Sequence, residues 1–369
     1  MDCDALRADV PALDDCTYLN TGASGPSPVR VLDAVADGLV DHEVRGHVEG
    51  PYEVARERRE RAREAVAELL HTAPEHVALT QSTTDGITVA AGCHDWGADD
   101  AVVTTALEHS SGTLPWHRLA DRDGVDVRTV GHDEGRLRFD ELAEAVADAS
   151  LLCLSHVSWT HGTVLDVARA VDVAHDAGCD VLVDAAQSPG HVPLDALEAW
   201  GADFVAATGH KWLLGPWGAG FLWVREPAAL DSPRIGYPGL EDHDGEHYEY
   251  REGAARLEVA PGSPALQAGL TAAVATLRDV GLDAIRDRIA GLRERLVDGL
   301  PSDRLVSPPD AATGLVSFRV DDAAETVARL RDAGVVVRSL PLDGEVVRAS
   351  LHGFNAPEDV EALLAEVAA

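Results

Sequence analysis

One lysine, Lys211, stands among the thirty basic residues of this 369-residue chain, in the run Ala207-Thr208-Gly209-His210-Lys211-Trp212. Arginine replaces lysine in solvation and ion pairing, but a guanidinium that keeps its proton cannot act as an amine nucleophile. A lysine kept where every other cation is arginine points to amine chemistry. Asp184 closes the apolar run Val181-Leu182-Val183, and standing alone it would read as a helix cap or turn residue. Paired with Lys211, it reads as the carboxylate that holds a proton on a pyridine nitrogen. The ring would then be the electron sink of a pyridoxal cofactor, carried by the lysine as a Schiff base.

Such a cofactor also needs an anion cradle. Ser82-Thr83-Thr84 places hydroxyls where a strand passes into a helix, and the free N–H groups of a helix start favour an anion. Serine and threonine are equally ordinary helix caps. Thr208 and His210 add donors on either side of Lys211. At another strand end, Leu107-Glu108-His109 offers a histidine able to lie flat on the ring, a role that depends on its company, since histidines beside strands are more often structural.

The elements that must hold these groups alternate short apolar runs with amphipathic stretches, the pattern of a parallel sheet covered by helices. Strands are expected at 76–80, 101–106, 151–156, 180–183, 204–207 and 220–224, with helices at 51–71, 140–148 and 167–177. In open sheets of this kind ligands gather beyond the carboxyl ends of the strands. Residues 225–256 read as irregular, with an acidic, histidine-rich run over 241–249. A helical stretch over 264–300 then leads into a smaller α+β unit, with strands near 315–320, 335–339 and 345–351 and helices at 323–333 and 357–367.

The formal net charge of −34, from 64 acids against 30 bases, is dispersed through the periodic segments. It is therefore a solvated coat on a folded body, and the self-repulsion it brings is relieved by salt, which shortens the Debye length. With the loss of lysine, this suggests a halophilic cytoplasm. Nucleic acid and anionic membranes would be repelled, so neither is expected as a partner. Five cysteines, at 3, 16, 93, 153 and 179, show no close metal-ligand spacing. No metal is expected, and the odd count fits a reducing compartment. The first residues lack an apolar leader and no segment has the length of an apolar span, so a cytoplasmic protein is expected.

Taken together, the stretch from Asp184 through Lys211 to Gly218, with Ser82-Thr83-Thr84, His109, Ser155-His156-Val157-Ser158 and Val347-Arg348-Ala349-Ser350-Leu351, resembles the class V aminotransferase family. This group of fold-type I pyridoxal-phosphate enzymes includes cysteine desulfurases, selenocysteine lyases and isopenicillin N epimerase-like proteins. The likeness runs from Tyr18-Leu19-Asn20-Thr21-Gly22-Ala23 to Phe354-Asn355-Ala356-Pro357-Glu358-Asp359. It implies an α/β fold: a large domain, 16–250, with a mostly parallel central sheet sandwiched by helices, and a small domain built from 1–15 and 251–369. It makes Lys211 the Schiff-base lysine, Asp184 the partner of the pyridine nitrogen, His109 the stacking residue and Gln187 a donor toward the ring oxygen. Ser82, Thr83, Thr84, Thr208 and His210 become phosphate ligands. Arg348 becomes the clamp on the substrate carboxylate, with Trp159, Asn20 and Ala23 beside the substrate. Ser263 matches a position that reaches the phosphate of a neighbouring subunit, which implies a homodimer.

Two departures bear on the reaction. Desulfurases of this group carry a nucleophilic cysteine on a loop before the arginine segment, whereas here the interval Ser339-Leu340-Pro341-Leu342-Asp343-Gly344-Glu345 is short and has none. Trp159 stands where they offer an asparagine, and it is expected to shape the substrate pocket instead. An amino acid is the implied substrate, and proton abstraction at its α-carbon by Lys211 is common to several outcomes. Transamination is the leading expectation because it needs no further catalytic group. Elimination at a C–S or other β-bond comes second and epimerisation third, and a silent member that uses the fold for binding stands as the reading outside catalysis.

Overall fold

A computed structural model describes residues 1–194, 197–244 and 246–368. Seven segments form one sheet: β1 (Val77–Thr80), β2 (Ala101–Thr105), β3 (Asp126–Val130), β4 (Leu151–Ser155), β5 (Asp180–Asp184), β6 (Phe204–Thr208) and β7 (Gly220–Val224). Their spatial order is β1-β7-β6-β5-β4-β2-β3, with β7 antiparallel to both neighbours and the other pairings parallel. Strands buried on both faces read as continuous apolar runs, and β4, Leu-Leu-Cys-Leu-Ser, is buried at every position. Alternation divides the two faces between separate cores. Leu152 and Leu154 enter one core with Val171, Leu270 and Leu277, while Leu151 and Cys153 enter another with Ile87, Trp116 and Leu119.

The covering helices of this layer are α1 (Val29–Val40), α2 (Pro51–Leu70), α3 (Thr83–Gly92), α4 (Leu114–Asp123), α5 (Phe139–Ala145), α6 (Val167–Asp176) and α7 (Pro264–Val280). Four elements were not expected from the sequence. Helix α3, Thr-Thr-Asp-Gly-Ile-Thr-Val-Ala-Ala-Gly, consists largely of weak helix formers. Its burial overrides propensity, and Gly86 is needed where the helix crosses β6, since a Cβ there would stand 3.0 Å from that of Ala206. Strand β3 stands at the sheet edge with only its last residue, Val130, buried, and α1 and α4 lie on the surface with much of their length exposed.

Beyond the sheet layer, the helical stretch expected over 264–300 is two helices, α7 and α8 (Leu282–Gly299), broken at Gly281, whose φ of 91° lies in the left-handed region that favours glycine. A second sheet, β8 (Leu315–Arg319), β9 (Arg338–Leu340) and β10 (Val346–Ser350), is antiparallel in the order β8-β10-β9. Helices α8, α9 (Ala323–Asp332) and α10 (Pro357–Ala368) cover it around a third core that includes Leu292, Phe318, Leu330, Val347 and Leu363. Residues Thr17–Tyr18 pair in parallel with Val335–Val336, Leu19 joins this core, and Arg7 reaches Asp359 at 2.7 Å. Helix α7 packs on α1 and α2 and places Leu270, Val274 and Leu277 in the main core. We therefore propose Gly281, rather than residue 250, as the division between the two units. The segment expected to be irregular contains a hairpin, Leu240–His243 with Tyr248–Tyr250, whose residue 245 lies outside the described residues.

Candidate active site

The carboxyl ends of β1, β2, β4, β5 and β6 open on one cavity of about 330 Å³. Ala23, Ser82, Thr83, Thr84, His109, Trp159, Asp184, Gln187, Thr208, His210 and Lys211 line it. Asn20, Ser263 and Arg348, also singled out in the sequence, do not. A larger cleft of about 1330 Å³ shares Thr84, His109 and Ser111 with this cavity but holds no amine, so the chemistry belongs to the smaller one.

Lys211 follows β6 in a turn in which Leu214 takes a left-handed φ of 58°. Burial pushes its amine down to about 8; Asp184 opposes that fall, and Arg348 and Arg338 add to it. Asp184, at the end of β5, is raised by burial, against the hydrogen bond that its Oδ1 accepts from the Ala186 amide at 2.8 Å. That bond leaves the other carboxylate oxygen available on the cavity side. Behind it stands a residue that sequence reasoning missed. Glu108 accepts from the Ser155 amide at 2.9 Å, from Ser155 Oγ at 2.6 Å and from Thr105 Oγ1 at 2.7 Å. Burial pushes this carboxyl up to about 7, and the nearby Asp184 adds to the rise. The signal was its place beside His109, and its partners became known only when β2 and β4 were side by side.

His109 stands at the exposed rim, edge-on to Trp159 with ring centres 5.2 Å apart. Its Nδ1 accepts from the Ser111 amide at 3.2 Å. At the start of α3, Ser82 caps the helix by accepting from the Asp85 amide, and Thr84 Oγ1 meets Ser111 Oγ at 2.8 Å. Thr83 Oγ1 is buried with no partner among the described residues, an orphaned hydroxyl at a helix start and thus fitted to an anion. Thr208 Oγ1 and His210 Nδ1 lie 2.7 Å apart, and the His210 ring stacks on Trp217 at 3.8 Å. Gln187 Nε2 donates to the Gly22 carbonyl at 2.9 Å while its Oε1 accepts from Trp212 Nε1 at 2.7 Å. One amide hydrogen of Gln187 is left for a ligand.

Two arginines flank the cavity. Arg348 is fully buried behind Gly22, its Nη1 donating to the Trp159 carbonyl at 2.7 Å while Nε and Nη2 lack partners among the described residues. Burial lowers it to about 9, and Arg338 adds to the fall. Asn20 also lies behind the wall, its Oδ1 buried and unpartnered among the described residues. Arg338 itself lines the cavity, 5.8 Å from the Trp159 ring, and sequence reasoning passed over it as one arginine among many. Ser263 caps α7 and borders a different cavity of its own chain. Residues 341–345 form only the tight turn of the β9–β10 hairpin, closed by the pairing of Leu340 with Val346. None of the five cysteines lines the cavity, and burial raises Cys93 and Cys179 to about 12 and holds Cys153 well above the ordinary thiol range.

The class-V aminotransferase family model matches residues 17–363. The chain belongs to the class V aminotransferase family. Its similar proteins include a probable cysteine desulfurase of Methanothermobacter thermautotrophicus, 32% identical with 97% of this chain and 95% of that one covered. Among solved structures, an apo cysteine desulfurase from Thermococcus onnurineus superposes with a TM-score of 0.89 at 28% identity, covering 98% of this chain and 96% of that one. The cystine C–S lyase C-DES, solved with its product cysteine persulfide, gives 0.88 at 26% identity over 97% of this chain and 99% of its own. A lysine variant of C-DES carries glycine covalently linked to pyridoxal phosphate. This class V member is accordingly a pyridoxal-phosphate enzyme, and its fold is the α/β fold with a mostly parallel sheet that those structures share. The orphaned Thr83 hydroxyl, the one-sided Asp184 carboxylate and the buried amine of Lys211 fit that cofactor's phosphate, ring nitrogen and aldehyde. No helix among the described residues is long and apolar enough to cross a membrane, and no group of three or more potential metal ligands occurs among them.

Proposed function

We propose that this enzyme breaks the C–S bond at the β-carbon of a sulfur-bearing amino acid and releases the sulfur directly, without passing it through a protein cysteine. The observation that carries this reading is the cavity itself: an amine and a carboxylate are in place, while every cysteine lies outside it and the turn at 341–345 is too short to bring one in. Transamination, the leading expectation from sequence, uses the same groups up to proton abstraction. Elimination takes precedence because the similar proteins are named as desulfurases and as a cystine lyase.

When bound, pyridoxal phosphate supplies an electron sink for the charge that develops at the substrate α-carbon. Asp184 would hold the ring-nitrogen proton and Thr83, Thr84 and the start of α3 the phosphate, while the two unpartnered nitrogens of Arg348, Nε and Nη2, would meet the substrate carboxylate from behind Gly22, outside the cavity lining. Lys211 Nζ, whose proton is loosely held near pH 8, takes the α-proton. The Cβ–S bond then breaks and its electron pair leaves on sulfur, which is protonated as it departs. For a substrate R–S–CH2–CH(NH3⁺)–CO2⁻, water completes the balance to RSH, pyruvate and ammonium.

The protein also acts as a homodimer in this reading, with Ser263 of each copy reaching the neighbouring site. Support comes from an exposed apolar face along α1 and beyond, including Leu32, Leu39, Val40, Val44, Val48 and Tyr52, of a kind that marks an interface. The test of function is to supply cystine and cysteine to the holoenzyme and to a variant with all five cysteines replaced by alanine. Pyruvate with an equal amount of persulfide from cystine, and of sulfide from cysteine, at rates retained by the variant, is expected. Loss of turnover on removing the cysteines, or conversion of the cofactor to its amine form with an added 2-oxo acid as the acceptor, would overturn the proposal.

A further inference from the structure

His191 lies outside the cavity, 4% exposed, where the two units of the molecule meet. Its two ring nitrogens have unlike partners. The Gln187 carbonyl, 2.9 Å from Nδ1, can only accept, and the Gly314 amide, 2.7 Å from Nε2, can only donate. The ring must therefore be neutral with its proton on Nδ1. Gln187 belongs to the turn after β5, whereas Gly314 leads into β8, so one imidazole joins the large unit to the small one.

The same ring stacks on the indole of Trp212, with centres 3.5 Å apart and planes 10° from parallel. Trp212 is the residue after Lys211, and it is held in three ways. His191 covers its face, its Nε1 donates to Gln187 Oε1 at 2.7 Å, and its carbonyl accepts from His352 Nε2 at 3.0 Å. Gln187 passes the restraint on by donating to the Gly22 carbonyl, in the cavity wall that covers Arg348. The backbone is shaped to the stack: a Cβ at Gly190 would stand 2.7 Å from the Trp212 carbonyl, and one at Gly314 would stand 3.1 Å from the indole.

We propose that His191, neutral and protonated on Nδ1, is a positioning residue that sets the Lys211 turn and the Gln187 amide against the small unit. It touches neither substrate nor cofactor and acts through Trp212 and Gln187. The inference holds for elimination and transamination alike, since both draw on Lys211. Burial holds the His191 imidazolium down to about 3, with Gln187 opposing and the neighbouring His352 and His156 adding to the fall. The neutral form therefore persists through the working range.

The test begins with 15N-histidine labelling of the wild-type protein, with and without cofactor, His191 being assigned by difference from His191→Phe. A neutral Nδ1–H tautomer from pH 5 to pH 8 is expected, and an Nε2–H tautomer or an imidazolium at pH 6 overturns the proposal. In the holoenzyme, His191→Phe keeps the stack and loses both hydrogen bonds. It is expected to lower kcat about tenfold or more, as small misplacements of reacting groups do, and to shift the pH midpoint of the visible cofactor band. His191→Gln, which keeps a donor and an acceptor, is expected to recover part of both. A folded His191→Phe with wild-type kcat and band midpoint overturns the proposal, and if it does not fold, the tautomer and His191→Gln still decide.

Discussion

Asp184 and Glu108 are two buried acids that fold and function pull in opposite directions. Burial raises Asp184 in the folded chain, so its ionised form is destabilising above the usual carboxylate range of about 4. Asp184→Asn is therefore expected to melt higher than wild type at pH 7 without cofactor, with the difference closing as pH falls below about 4. The same change should lower turnover about 100-fold or more by removing the charge proposed to hold the ring-nitrogen proton. A calorimetric series over pH and a rate assay check the two halves. Glu108 is raised from 4.5 to about 7, so the folded state binds more protons across that window and its stability falls as pH rises through it. Glu108→Gln should flatten that slope, a change on the order of 3 kcal/mol between its two ends, read from urea midpoints at pH 4 and pH 8. Lys211 and Asp184 were legible in the sequence because an isolated lysine and a carboxylate at a strand end are unusual by type and place. Glu108 and Arg338 were not, because their significance rests on neighbours brought from other strands.

At the scale of elements, the apolar runs declared the central strands, whose burial on both faces leaves little else they could be. Helix α3 escaped notice although it presents the hydroxyls proposed to hold the phosphate, because its glycines and β-branched residues serve close approach to β6 rather than helix formation. The break between α7 and α8 was hidden by a helical periodicity that continues across it. A Cβ at Gly281 would make only an ordinary contact, 4.0 Å from Ala284 Cβ, but its φ of 91° is strained for any other residue. Gly281→Ala is expected to lower stability by about 1–3 kcal/mol through backbone strain alone, measured as a shift in the urea midpoint. An unchanged midpoint would show that the two helices can rejoin without strain.

For the whole molecule, the net charge of −34 sets the conditions under which fold and assembly persist. Screening of that charge predicts a thermal midpoint that rises between about 0.1 M and 1 M KCl, over which the Debye length falls from about 10 Å to about 3 Å. Two copies meeting through the apolar face of α1 would bring their charges together. Sedimentation is therefore expected to show a dimer whose dissociation constant falls as salt increases, and Val44→Glu should weaken it at every salt concentration. A monomer in molar salt would count against the shared site. The replacement of surface lysine by arginine, which accompanies this charge, has one more result. The only side-chain amine in the chain lines the reaction cavity, so protein grown on lysine labelled with carbon-13 at Cε would give a single labelled signal. From that resonance the proton and covalent state of the reaction centre can be followed in real time, in a molecule of 369 residues.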